Sequence, residues 1–281
     1  MTAVPELHYR LAGATRGHFP GHHRSRHGGN GFEFRGHANL HDAPDARRID
    51  VHASLRDPFG RWLVRQHSQR LSIPVAVVAD LSASMGVAGV QHKQGVLADL
   101  VASLSWSAWR TGDSFGFVGC DATVRHDLLL PQTRARSAGA ALAASLRAMR
   151  LDGRSAQGLS QAHWHLPQRR ALVFLVSDFH LPLADVAAVL AHLAHHEVLP
   201  VVLWPPAEFD LGAPVGFADV ADPESGQRQW LWWRPALRQR WQAAAEARRA
   251  ALVKLFRAQR LSPLFIEGAF DADAVTRHFM A

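Results

Sequence analysis

Three runs of almost uninterrupted apolar residues constrain this chain most: "IPVAVVA" at 73–79, "ALVFLV" at 171–176 and "VLPVVLW" at 198–204. A strand that is apolar at every position is buried on both faces, which is the condition of an interior strand in a parallel sheet. Between these runs lie segments with helical spacing. "HKQGVLADLVASLSWSAWR" places Val96, Leu97, Leu100, Val101, Leu104 and Ala108 on one face, and "LADVAAVLAHLAHH" does the same with Val186, Val189, Leu190 and Leu193. Strands that alternate with helices predict an α/β chain with a mostly parallel sheet covered on both sides. The remaining stretches fill in the frame. "DSFGFVGC" reads as a second strand, "TVRHDLLL" as a third at an edge, 134–149 as an Ala-rich helix and "SAQGLSQAHWHL" as a shorter one. After Trp204 come a loop rich in Pro and Gly, a strand at "GQRQWLWW", and a basic helix from Pro235 to about Arg260. "PLFIE" is expected to be the last strand and "DADAVTRHFM" a closing helix.

Residues 1–70 differ from this pattern. "GHFPGHHRSRHGGNGFEFRGHANLHDAPDARRID" is rich in Gly, His and Arg with little periodicity, and reads as loops and short strands, partly mobile, laid over a domain. The expected organisation is therefore a basic segment over 1–70 and a domain over 71–281, with its core at 73–205 and additions at 206–281. The formal charge of +7, with 18 histidines besides, favours an acidic partner surface, protein or nucleic acid. A single cysteine, Cys120, excludes an internal disulfide framework and fits a reducing cytoplasm. The first residues lack the apolar core of a secretory signal, and no run is long enough to cross a bilayer, so a cytoplasmic location is expected.

At the end of the first apolar run stands "DLSAS", an abrupt set of oxygen side chains: Asp80, Ser82 and Ser84. They could face a metal ion, a phosphate or a substrate carbonyl, or form a polar turn. In an open parallel sheet, ligands bind beyond the carboxyl ends of the strands where the strand order reverses. Asp178 ends a second apolar run, and the turn "LDGRSAQGL" offers Ser155 before a helix. Three hydroxyls and two carboxylates from three loops make a hard oxygen set that suits a small divalent cation, Mg²⁺ first, with Mn²⁺ or Ca²⁺ as alternatives. If neutral hydroxyls bind directly and the carboxylates act through water, the ion keeps uncompensated charge. Such an ion attracts an outside carboxylate, which points to recognition more than to turnover.

"DLSAS" resembles the Asp-x-Ser-x-Ser element of the metal-ion-dependent adhesion site in von Willebrand factor A domains. Asp178 in "LVSDF" matches that site's third element, and Ser155 stands where the second normally has Thr. The resemblance spans about 73–205 and implies a doubly wound sheet with the metal at its top. A narrower resemblance, to the bacterial family known as domain of unknown function fifty-eight, rests on "GNGFEFRGH", "DARRID", "VAVVADLSASM", "LVFLVSDF" and "DPESGQRQWLWW". The chain departs from it in "LHDAPDARRID", where the family has Gly-Asp-Asp, and at Val51, where the family has Trp. That family implies work beside a MoxR-type AAA+ ATPase in maturing or activating client proteins, metal insertion included.

Other readings compete. His180 lies near enough to Asp178 to serve as a base in a metal-dependent hydrolase, but no Gly-x-Ser-x-Gly elbow and no Walker loop is present. His192, His195 and His196 on one helix, or His163 and His165 around Trp164, could ligate a transition metal or simply be solvated. The basic helix, with Arg238, Arg240, Arg248, Arg249, Lys254, Arg257 and Arg260 outward and Leu237, Trp241, Leu252, Leu255 and Phe256 inward, could grip phosphates or be a charged outer face. Trp230, Trp232 and Trp233 cannot all face inward from one strand, which leaves an aromatic for an interface. The expectation is a non-enzymatic, Mg²⁺-dependent interaction module that holds an acidic side chain of a MoxR-type ATPase or its client. A nucleic-acid binder and a hydrolase are the rivals, in that order.

Overall fold

The structure, a computed structural model, describes residues 4–10, 20–29, 33–87, 93–208 and 215–280. The chain forms two units, Arg10–Ile73 and a larger one made of Pro74–Ala281 with Met1–Tyr9. Parts of the predicted basic segment, at 1–3, 11–19 and 30–32, lie outside the described residues, as do 88–92, 209–214 and 281.

In the smaller unit three strands form one sheet. Strands β1 (Pro20–Gly29), β2 (Glu33–Asn39) and β3 (Leu63–Leu71) pair antiparallel in the order β1-β3-β2. A short helix, α1 (Val51–Leu55), lies between β2 and β3 in sequence. Asp50 ties these parts together. One carboxylate oxygen caps α1 by accepting from Ala53 N at 3.1 Å, and the other meets Arg65 Nε at 2.8 Å and His37 Nε2 at 3.0 Å. Hydrogen bonds from Arg65, Ala53 and His37 hold its carboxyl well below the usual carboxylate range. The last residue of "DARRID" thus has a structural task.

The larger unit follows the alternation of its sequence. In chain order it contains β4 (Pro74–Asp80), α2 (Lys93–Thr111), β5 (Ser114–Cys120), β6 (Leu130–Thr133), α3 (Ala138–Ala148), a 3₁₀ helix at Gln157–His165 and β7 (Leu172–Ser177). Then come α4 (Leu183–His192), β8 (Glu197–Leu203), β9 (Gly216–Ala221), β10 (Arg228–Trp233), α5 (Pro235–Ala258), β11 (Leu264–Ile266) and α6 (Ala272–Met280). The main sheet runs β11-β8-β7-β4-β5-β6, parallel throughout except for β6. This is a doubly wound α/β fold. From β4 the chain builds outward through β5 and β6, then returns to the other side of β4 for β7, β8 and β11. The order therefore reverses between β4 and β7, where a ligand crevice is expected.

β4, β5 and β7 are buried at every position, as their composition requires. On one face Ala76, Val78, Val173, Leu175 and Val202 join Val186, Val189 and Leu190 of α4 and Leu252 and Phe256 of α5 in one core. On the other, α2 lies against β4 and β5, and Phe279 of α6 meets Phe174 with ring centroids 5.9 Å apart. The segment before residue 10 is fixed to this unit: Leu7 N donates to Ser107 Oγ at 2.8 Å, and Tyr9 OH to Asp113 Oδ2 at 2.9 Å.

Several expectations need revision. The edge strand is Leu130–Thr133, not "TVRHDLLL": residues 125–129 form a turn, with Leu128 N donating to Arg125 O at 3.1 Å. β9, which pairs in register with β10 as a separate two-stranded ribbon, has no counterpart in the sequence reading. Of the apolar residues expected inward on α5, only Leu252 and Phe256 are fully buried. Among the tryptophans of β10, Trp233 is buried while Trp230 and Trp232 are exposed, as strand alternation requires. No described helix is long and apolar enough to cross a membrane.

Candidate functional site

Asp80 is the last residue of β4, and its carboxylate turns the chain out of the sheet. Oδ1 accepts from Ser82 N at 2.9 Å, an Asx turn, and Ala83–Gly86 then closes a 3₁₀ turn. That turn brings the Ser82 and Ser84 hydroxyls to 3.1 Å from each other, so the alternating oxygens converge by a bend and not by strand pleating. Leu81 N donates to Cys120 O at 2.7 Å and Ala83 N to Gly153 O at 2.8 Å, which fixes the turn to the end of β5 and to the loop that carries Gly153. Gly153 permits the second contact: a Cβ there would sit 2.5 Å from Asp121 Cβ and 3.1 Å from Leu81 O. The same loop carries Ser155, which lines one cavity of about 1040 Å³ together with Ser84.

Asp178 follows β7, the strand beside β4, so both carboxylates reach the reversal point. Ser177 links them: its Oγ donates to Asp80 Oδ2 at 2.7 Å and accepts from Phe179 N at 2.8 Å. Phe179 has a φ of 52°, the left-handed region that a bulky residue rarely enters, so its surroundings must hold it there. Trp204 Nε1 donates to Asp178 O at 2.6 Å, and Arg248 of α5 donates to Phe179 O at 2.6 Å and also to Leu181 O. Arg248, expected on a charged outer face, is in fact a clamp on this loop. Its neighbour Arg249 pairs with Glu267, so two of the arginines proposed for phosphate binding already have partners.

Two charged residues complete the crevice. Lys93 at the start of α2 is buried and donates to Asp178 Oδ2 at 2.8 Å and Glu208 Oε1 at 2.9 Å. His180 Nε2 lies 2.8 Å from the same Glu208 oxygen, and its ring stacks on Trp204 at 5.9 Å. Asp178, His180 and Glu208 each offer a ligand atom within 4.8 Å of the others. The sequence reading missed Lys93, Glu208, Ser177 and Trp204. For Lys93 there was a signal: the chain has 31 Lys and Arg residues, and only Lys93 and Lys254 are lysines. The Lys93 ammonium is a compact point charge that reaches both carboxylates at once.

The electrostatics are uneven. Burial, and then the charge of Asp178, push the Asp80 carboxyl up to about 6. Burial acts on Asp178 in the same direction, but the charges of Lys93 and His180, with hydrogen bonds from Lys93 and Ser84, outweigh it and hold this carboxyl below its ordinary value. Burial opposes the charged forms of Lys93 and His180, and their acidic neighbours raise both pKa values despite it. Glu208 Oε2 is buried without a hydrogen-bond partner among the described residues. A pocket of three carboxylates, with Asp80 lacking a counter-charge of its own and Glu208 Oε2 unmet, fits a divalent cation with hydroxyl and water ligands. Four of the five predicted residues, Asp80, Ser82, Ser84 and Asp178, are brought together, and Ser155 opens onto the same cavity.

The alternative histidine groups do not assemble. His163 stacks on His192 at 4.7 Å, His195 Nε2 meets Gln168 O at 3.0 Å, and His196 Nδ1 accepts from Ala171 N at 3.3 Å. Among the described residues, none of them joins a cluster with metal-ligand spacing. Cys120 is fully buried, and burial pushes its thiol far up.

The family described as "Protein of unknown function DUF58" matches residues 42–251, and the chain belongs to it. A relative from Paracoccus denitrificans, described as "Uncharacterized protein in moxR 3'region", is 39% identical over 102 residues, covering 36% of this chain and 96% of that protein. Among solved structures, BatB from Bacteroides thetaiotaomicron aligns with a TM-score of 0.47 and 12% identity over 74% of this chain and 96% of its own. An aerotolerance-related membrane protein from Bacteroides fragilis aligns with a TM-score of 0.45 and 12% identity over 74% and 97%. Likeness this loose adds nothing to the strand order described above.

Proposed function

We propose that this member of the DUF58 family is a non-enzymatic, Mg²⁺-dependent interaction module, an adaptor that works with a MoxR-type AAA+ ATPase on a client protein. One observation carries the reading: two buried carboxylates end adjacent parallel strands at the reversal point, beside a pair of serine hydroxyls 3.1 Å apart. In this reading Ser82, Ser84 and Ser155 hold the ion directly, and Asp80 and Asp178 hold it through water. When bound, the ion supplies a Lewis-acidic docking point for an acidic side chain of the partner.

The chain's own residues tune that point. Asp80 already spends both oxygens on Ser82 N and Ser177 Oγ, which suits a carboxylate acting through water. Lys93 neutralises part of the Asp178 and Glu208 charge, which leaves an incoming ion less compensated and more attractive to an outside anion. Hydrolysis through a thiol has weaker support, since Cys120, the one cysteine, is sealed in the core. The ATPase as partner draws on the relative's description, which places that protein in a moxR 3′ region.

The test is binding of the purified protein to a purified MoxR-type ATPase with Mg²⁺ or with EDTA. Binding is expected in Mg²⁺ only, and Asp80→Ala is expected to abolish it while keeping the circular dichroism of the fold. Binding by that variant at wild-type strength would sink the proposal.

A further inference from the structure

The site is expected to await an acid from outside, yet the chain brings one of its own. The β9–β10 ribbon ends in the turn Asp222–Gln227, which is rigidly built. Asp222 N donates to Gln227 O at 2.9 Å, Gly226 N to Asp222 O at 2.9 Å, and Asp222 Oδ1 accepts from Glu224 N at 3.0 Å. Gly226 sits at a φ of 71°, which glycine alone adopts without strain. From Ala221 to Trp230 every residue is exposed except Glu224, which is partly buried.

Glu224 is covered because it points into the crevice. It lines the large cavity with Ser84, Lys93, Ser155 and Glu208, and a second cavity with Ala83 and Gly86, so the ribbon's tip sits over the 82–86 turn. Glu224 thus shares one cavity with Ser84 and Ser155 and borders the turn that carries Ser82 and Ser84. Lys93, the nearby cation, is already bonded to Asp178 and Glu208, so a further carboxylate brought to this crevice is poorly compensated, and a divalent ion would resolve the conflict.

We propose that Glu224 is the ion's resident carboxylate ligand, standing where the partner's acid must bind, so that the partner has to lift the β9–β10 ribbon to reach the metal. This inference rests on the metal reading of Ser82, Ser84 and Ser155. It makes the ribbon a built-in competitor that keeps the site closed until an acidic peptide segment of sufficient affinity displaces it.

The experiment uses Mn²⁺ alone as the probe, with titration calorimetry and water-proton relaxation on the full chain and on Glu224→Gln. The variant is expected to bind Mn²⁺ about tenfold more weakly, because affinity follows the charge of the ligand set. Its bound Mn²⁺ should carry one more inner-sphere water, seen as higher relaxivity. Acetate should then lower the relaxivity of the variant and leave that of the wild type unchanged. Equal Mn²⁺ affinity and relaxivity in the two proteins, with binding still lost in Asp80→Ala, would overturn the role of Glu224 and leave the metal reading standing. Failure of both proteins to bind Mn²⁺ would overturn both readings.

Discussion

The two halves of the crevice hold the same chemical group in opposite ways. Asp80 and Asp178 are equally buried, at 0% and 1% exposure, and end adjacent strands. Asp80 is met by neutral donors, Ser82 N and Ser177 Oγ, and its carboxyl rises. Asp178 is met by a buried ammonium, and its carboxyl falls. Equal burial therefore does not mean equal cost. What matters is whether the charge is balanced on the spot or left for a ligand to balance. The Asp178 half is nearly self-sufficient, and the Asp80 half is the one that calls for a cation.

The sharpest way to break this contrast is Lys93→Met. It strands two carboxylates beside each other, and loss of one partner from a buried pair costs about 3–5 kcal/mol. Thermal unfolding in EDTA should show a large drop, partly restored by excess Mg²⁺. A drop of the size expected for a surface substitution would mean that Lys93 is not the counter-charge.

Asp80→Asn should act with the opposite sign. In EDTA the folded Asp80 titrates near 6 and an unfolded aspartate near its ordinary 3.8, so the folded state binds the extra proton between those values. Stability from this group is full below about pH 4 and is lost as the pH rises through 6, on the order of 2–3 kcal/mol in all. Asp178 has a lowered carboxyl and loses its contribution only at more acid pH, while His180, raised above 6.5, loses its own only at higher pH. His196, lowered to about 4, loses stability over the same interval in both proteins, so the assignment shows in their difference: from pH 6 to 4 the wild type should gain relative to the Asn variant, which should be the more stable of the two at pH 7. A parallel pH profile in the two proteins would contradict the assignment.

The smallest effect is expected for Arg248→Met, which removes the donors to Phe179 O and Leu181 O. A stability loss of about 1–2 kcal/mol should accompany it, with a modest fall in Mg²⁺ affinity by calorimetry. An unchanged affinity would separate the Phe179 loop from the site.

Much of this was legible in the chain, for reasons that also explain what was not. Interior strands of a parallel sheet must be apolar at each position, so β4, β7 and β8 stand out, and a carboxylate that ends such a run is conspicuous. Lys93 begins an amphipathic helix, where a charged residue is ordinary, and its partner Glu208 lies 115 residues away. β9 is only half-buried, so it lacks both the solid apolar run and a clear alternation. The strands of the smaller unit carry Arg, His, Ser and Gln at most positions, and their pairing is decided by contacts such as that of Asp50 with Arg65.

Ser177 gives the crevice a mechanical property. Its single hydroxyl receives Phe179 N and gives its proton to Asp80, so the backbone of one loop and the carboxylate of the next strand are coupled through one atom. A push on the outer helix that frees Arg248 would let Phe179 relax from its left-handed conformation, draw the hydroxyl away and alter the acid that tunes the ion. The same linkage runs backward: an ion that repositions Asp80 would be felt at α5. Ser177 would thereby act as the pivot of a short lever between the proposed metal site and a surface helix.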